Sequence, residues 1–166
     1  MSQKNSHCSY CGQAFAEGAA WPRTCAGCSH TSYVNPLPVA VILLPVDGGL
    51  LAIRRDIEPH RGKLALPGGF IGVGESWQEA GARELAEETG IRIDPREVKD
   101  FRVLSAPDGT VLIFGVAGER PAASLPAFAK NEETTECVVL TEATELAFSL
   151  HTQVVREFFA RRPHPR

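Results

Sequence analysis

The sequence predicts an α/β domain behind a small cysteine-bearing segment, and three observations carry that prediction. Two Cys-x-x-Cys pairs, CSYC and CAGC, lie near the N-terminus. Apolar runs of strand length, VAVILL and LLAIRR, begin soon after them. One strongly helical stretch, SWQEAGARELAEET, then follows a glycine-rich loop. A chain of 166 residues is long enough for one sizeable core and a small appendage. Its composition, 43% hydrophobic and 22% charged, is that of a folded globular protein. The expected division is residues 1–35 and 36–166, with the break at Tyr33 to Pro36, where Asn-Pro favours a turn.

The first piece has too few aliphatic side chains to fold around a core of its own, so something else must hold it. Cys8 and Cys11, then Cys25 and Cys28, form two knuckles separated by thirteen residues. Together they supply four thiolates for a tetrahedral Zn2+ with no open position, which makes the expected metal structural. Binding it would provide the folding free energy that the segment lacks. Disulfides or a redox dithiol are the alternative. His7 and His30 flank the knuckles and read as surface histidines or as replacement ligands. Cys137, alone in an apolar run, reads as a small core residue.

In the second piece VAVILL, residues 39–44, reads as a buried strand, and LLAIRR, 50–55, as its hairpin partner across Asp47-Gly48-Gly49. The loop LPGGFIGVGE leads into a helix from about Ser76 to Thr89. Ser76 is its N-cap, Glu79 completes a capping box, and Gly90 stops it. VKDFRVLSA and TVLIFGVAG form a second hairpin turning at Asp108-Gly109. Residues 118–131 read as a mobile loop, and CVVLT, 137–141, as a short strand. HTQVVREFFARR, 151–162, is a closing amphipathic helix with Val154, Val155 and Phe158 inward.

The helix carries Glu84, Glu87 and Glu88 on one side, with Trp77, Ala80 and Gly81, and with Arg83 beside them. Ala82, Leu85, Ala86 and Thr89 form the side expected to pack on a sheet, which turns the acidic side toward a cleft. Like charges four residues apart cost roughly 0.2–0.5 kcal/mol per pair, and no lysine offsets them. A solvated acidic face is one reading. A divalent cation is the other, since hard ions such as Mg2+ take carboxylate oxygens and keep waters and substrate phosphates. Gly68 and Gly69 free the backbone for close approach of a ligand, and Glu75 adds a carboxylate at the helix entrance.

Read as a pattern, this segment is Gly69, five residues, Glu75, seven residues, Arg83-Glu84-Leu85, one residue, Glu87-Glu88, one residue, Gly90-Ile91. It resembles the signature of the Nudix hydrolases at every fixed position, and the resemblance extends over about residues 36–162. It implies an α/β/α sandwich with a mixed sheet and metal-assisted attack of water on the diphosphate of a nucleoside diphosphate joined to another moiety. Carried over by position, it makes Glu84 and Glu88 the principal ligands of Mg2+ or Mn2+. Glu87 becomes a ligand or base, Glu75 an assistant at the metal, Arg83 a residue that fixes a glutamate, and the Gly69 carbonyl a further ligand. Relatives take one more acidic ligand from a later loop, where their register favours Glu133, with Glu136 as the alternative. A homodimer is likewise implied by the resemblance alone.

An N-terminal zinc ribbon before such a domain resembles two groups, NADH pyrophosphatases and a set that includes FAD pyrophosphatases. The first carry SQPWPFPxS after the box, where this chain has LSAPDGTVLIF. YVNP, ECVVL and ELAFSLH are similar to the second, which implies FAD or a related dinucleotide such as ADP-ribose. Arg54, His60 and Lys63 are nominated for phosphate or as surface charge, and Phe70 and Phe114 for stacking on a base or as core. A non-catalytic module that senses a nucleotide or grips nucleic acid is the rival reading. Against it stand the complete set of glutamates, a formal charge of −3 and a pI near 6.0, which exert no pull on nucleic acid or anionic membrane. The longest apolar run, PVAVILLPV, is about half a membrane span. With no signal-like N-terminus, the expected compartment is the cytoplasm.

Overall fold

The computed structural model of the chain describes residues 4–161 and divides into two compact units, Met1–Pro36 and Leu37–Arg166. In the first unit the order comes from tight turns and sulfur. Strand β1 (Arg23–Thr24) pairs antiparallel with β2 (Thr31–Ser32). The Cys8 amide donates to the Gln13 carbonyl at 2.8 Å and the Cys25 amide to the His30 carbonyl at 2.9 Å, which closes each knuckle on itself. Among the described residues of this unit, Cys8 and Cys25 are the buried apolar ones.

The second unit builds two sheets. Strand β3 (Leu37–Leu43) lies between β7 (Gly68–Phe70), antiparallel to it, and β9 (Thr110–Val116), parallel to it; β8 (Lys99–Ser105) flanks β9. This is the expected mixed sheet, and its β8–β9 hairpin turns where the sequence places it. The other sheet is antiparallel, in the order β10 (Thr134–Leu140), β5 (Gly49–Arg55), β4 (Pro45–Val46), with β6 (Leu64–Ala65) also on β5. Helices α1 (Trp77–Thr89) and α2 (Ser149–Arg161) complete the unit. Residues 118–131 contain one 3-10 turn, Ala122–Ser124.

One expectation fails. LLAIRR is not the hairpin partner of VAVILL, because both edges of β3 are already taken by β7 and β9. The chain changes sheets between Leu43 and Leu44 instead. The Leu43 carbonyl accepts from Ala117 in the first sheet, and the Leu44 carbonyl from Leu51 in the second, both at 2.9 Å. The turn at Asp47-Gly48 survives as the short β4–β5 hairpin.

Strand periodicity sorts the core into two layers. Val41 and Leu43 face one cluster with Leu112, Phe114 and the α2 residues Val154, Val155 and Phe158. Ile42 and Leu44 face another with Leu85 of α1, Ile91 and Val98. One helix thus covers each face, the α/β/α arrangement expected. Phe114, nominated for stacking on a base, is fully buried in the α2 layer and belongs to the core. Phe114→Ala is expected to cost about 3–5 kcal/mol of stability, read as a lower urea midpoint with an unchanged slope.

Candidate active site and metal centre

Helix α1 begins as its sequence predicts. The Ser76 hydroxyl accepts from the Glu79 amide, the Glu79 carboxylate accepts from the Ser76 amide, and Gly90 ends the helix in the left-handed conformation. Its orientation differs from expectation. Trp77, Ala80 and Gly81 do not border a cleft but pack on the sheet: a Cβ at Gly81 would come 2.6 Å from Ile42 Cδ1, and Trp77 lies against Gly115. These small residues let the helix approach the strands closely, and the approach buries Glu88 and partly buries Glu84.

The acidic side therefore divides. Glu88 is 5% exposed and accepts the Gly68 amide at 2.9 Å. Burial is the main cause that raises its carboxyl to about 8, with Glu84 and Glu133 adding to it. Glu84 is partly buried, its carboxyl also raised, first by burial. It lies so close to β7 that a Cβ at Gly69 would come 2.5 Å from its Oε1. Glu87 is largely exposed and borders a separate hollow of about 590 Å³ with Glu79, Arg83 and Arg92.

Arg83 ties the group together. Its guanidinium donates to Glu75 at 2.7 Å, Glu84 at 2.8 Å, Glu87 at 3.0 Å and the Phe70 carbonyl at 3.1 Å. Glu75, held well below the ordinary carboxylate range by Arg83 and then by the Gly72 amide, is already neutralised in this network. Glu84 shares the same guanidinium, which leaves Glu88, held by the Gly68 amide and by no ion pair among the described residues, as the carboxylate whose charge is least compensated.

Between the two nominated loop glutamates the structure distinguishes clearly. Glu136 lies across from Arg54 on the neighbouring strand and forms an ion pair with it, which occupies both Glu136 and the nominated Arg54. Arg54 also donates to the Gly62 carbonyl. Glu133 instead turns its charge on Glu84 and Glu88. The residue that places it, Asn131, is absent from the reading of the sequence. Its Nδ2 donates to the Glu87 and Glu88 carbonyls at 3.0 and 3.1 Å, while its Oδ1 accepts the Glu133 and Thr134 amides at 3.0 and 2.8 Å. From the other side the Asp56 amide donates to the Glu133 carbonyl at 2.7 Å.

Beside Gly68 and Gly69 opens a cavity of about 660 Å³. Phe70 and His60 line it as nominated, whereas Lys63 and Arg54 are not among its lining residues. Arg55, Phe148 and His151 are; the last two stand in ELAFSLH, a stretch that the sequence marked only by resemblance and without a role for either residue. Arg55 lies 5.1 Å from the Phe148 ring and donates to the Pro59 carbonyl.

In the first unit the four cysteines converge, all Sγ atoms lying within 4.8 Å of one another. Cys8 and Cys28 are 3.6 Å apart, as are Cys11 and Cys25. Sulfurs at the corners of a tetrahedron with Zn–S bonds of about 2.3 Å stand about 3.8 Å apart, so the set fits Zn2+. Amides of Tyr10 and Cys11 lower the Cys8 thiol to about 6, which favours the thiolate. His7 and His30 lie outside the cluster; His30 stacks on Tyr10. Burial and two nearby glutamates push Cys137 up to about 11, contrary to a nucleophile.

Residues 34–161 match the NUDIX domain family. The chain belongs to the Nudix family. The enzyme class expected from its box, a Nudix pyrophosphate hydrolase, goes with that membership. Among its relatives is an ADP-ribose pyrophosphatase of Methanocaldococcus jannaschii, 31% identical over 134 residues, covering 76% of this chain and 75% of that one. A second is the NAD-capped RNA hydrolase NudC of Edwardsiella ictaluri, 32% identical over 93 residues, a match that spans 55% of this chain and 35% of the relative. A solved structure of a NUDIX hydrolase from Nitrosomonas europaea superposes with a TM-score of 0.76 at 26% identity, covering 95% of this chain and 92% of that one. Among the described residues no helix is long and apolar enough to cross a membrane.

Two outcomes test this geometry. With no divalent cation at the carboxylates, folded Glu88 keeps its proton to about pH 8, whereas unfolded glutamate releases it near 4.5. The raised value contributes stability that is full below pH 4.5 and is lost as pH rises through 8. The urea midpoint at pH 5 should exceed that at pH 8, and Glu88→Gln should remove most of the difference. For the cysteines, metal analysis of the purified chain should find about one zinc.

Proposed function

We propose that this chain hydrolyses the diphosphate linkage of an ADP-containing nucleotide, with ADP-ribose as the first substrate to try and FAD as the second. The two share an ADP half, and the named activity of the Methanocaldococcus relative points to the smaller. NAD-linked substrates, suggested by the name of the Edwardsiella relative, are the weaker choice, because LSAPDGTVLIF stands where the NADH pyrophosphatases carry their second motif.

The observation that carries the reading is the buried Glu88 carboxylate, outside every ion pair among the described residues, beside the partly buried Glu84, both pressed on Gly68 and Gly69 at the side of an open cavity. Burying two like charges is costly without a counterion, and hard carboxylate oxygens suit Mg2+ or Mn2+. Glu84, Glu88 and Glu133 would hold the cation, with the Gly69 carbonyl as a further donor. Such an ion, when bound, neutralises the diphosphate and lowers the pKa of a coordinated water. Arg83 holds Glu84 and Glu75 in place, Glu87 stands next to them as a base or outer partner, and Asn131 keeps Glu133 in register. The cavity takes the nucleoside end. The cysteine cluster, in the same proposal, holds a structural Zn2+.

Glu88→Gln is expected to lower kcat on ADP-ribose by about a hundredfold or more at saturating Mg2+; wild-type turnover would refute the metal assignment. Asn131→Ala is expected to raise the Mg2+ concentration needed for half-maximal activity while leaving the far-UV circular dichroism unchanged.

A further inference from the structure

The cavity beside Gly68 and Gly69 contains a buried imidazole with one edge committed and the other open. His151, in the first turn of α2, is 6% exposed, and its Nδ1 lies 3.2 Å from the Leu66 amide nitrogen. An amide N–H can only donate, so Nδ1 is an acceptor and carries no proton. Burial, with the Arg55 charge adding to it, lowers the ring to about 3. A neutral ring without a proton on Nδ1 has it on Nε2. Within the described chain Nε2 has no hydrogen-bond partner, yet it is not one of the sealed polar atoms, a condition met only by Thr134 Oγ1. The ring lines the cavity, so its open edge meets whatever the cavity holds.

The surroundings define that occupant. Val41, Leu66 and Leu112 form apolar walls, while Phe148 lies 5.0 Å from the His151 ring and Phe70 is 58% exposed at the rim. Flat apolar walls and aromatic rings suit a planar heterocycle. The cation on the cavity wall, Arg55, donates to the Pro59 carbonyl and lies 5.1 Å from the Phe148 ring, so an anion would have to be met there, while the neutral N–H of His151 suits an uncharged acceptor.

We infer that His151 is a specificity-determining residue that donates Nε2–H to a neutral ring nitrogen of the adenine in the ADP half of the substrate. The inference rests on the function proposed above and adds the residue that reads the base. It accounts for the Leu66 contact: by occupying Nδ1, the backbone forces the donor tautomer onto the edge that faces the cavity. The residue thus selects substrates that end in a base over diphosphates that carry only a sugar.

The test is calorimetric binding of AMP and of ribose 5-phosphate to the full chain without added divalent cation. In His151→Asn the side-chain oxygen can replace Nδ1 at the Leu66 amide, while the Nε2 donor is lost. AMP is expected to bind about 3- to 10-fold more weakly to this variant, and ribose 5-phosphate as to the wild type. Unchanged AMP affinity, or equal weakening of both ligands, overturns the inference. Should the variant fail to fold, 1-deaza-, 3-deaza- and 7-deaza-AMP on the wild-type chain decide. One of them should lose the same factor, and equal binding of all three and AMP overturns it. These measurements are separate from catalysis: full turnover by Glu88→Gln would sink the proposed metal site and leave base recognition standing.

Discussion

The close approach of α1 to β7 is the contact on which the rest of the second unit depends. Gly69 gives the Glu84 carboxyl its space, Gly68 offers its amide to Glu88, and a Cβ at Gly68 would come 2.7 Å from Val41 Cα in the adjoining strand. Both glycines are thus hemmed in, one by the helix and one by the sheet. Gly81 does the same from the helix side, against Ile42. The result is a pair of carboxylates taken from water next to a cavity, which is a high-energy arrangement unless a cation completes it.

Around that pair the protein places fixed charges and dipoles instead of flexible lysines. Arg83 spans Glu75, Glu84 and Glu87 from the middle of the helix, and its planar fork suits several acceptors at once. Asn131 staples the strand-entry turn to the last carbonyls of α1, satisfying backbone groups that a helix end leaves open. Each of these contacts holds a glutamate without neutralising Glu88, the carboxylate most shielded from solvent. Positioning and charge compensation are therefore separate tasks here, given to different residues.

The first unit follows a different logic. Its apolar burial centres on Cys8 and Cys25, and its contacts are turns, a two-residue strand pair and the Arg23 guanidinium 4.4 Å from the Trp21 ring. Such a segment has no core to speak of, so a tetrahedral metal among its sulfurs would be the main source of its stability.

Local spacing alone determined the caps of α1, the box of glutamates, the cysteine knuckles and the β8–β9 hairpin, since each is a pattern of neighbours along the chain. The inward residues of α2 were equally legible from their helical period. Tertiary structure alone decided that β3 and β5 part into separate sheets, because sheet membership depends on which edges β7 and β9 have already taken. It also decided that Glu88 is buried while Glu87 is not, that Glu136 answers to Arg54, and that Phe114 is core. The roles of Asn131, Arg55 and His151 were not legible in the sequence, even for His151 at the end of ELAFSLH, for their partners lie far along the chain and a side chain's role there is set by what folding brings beside it.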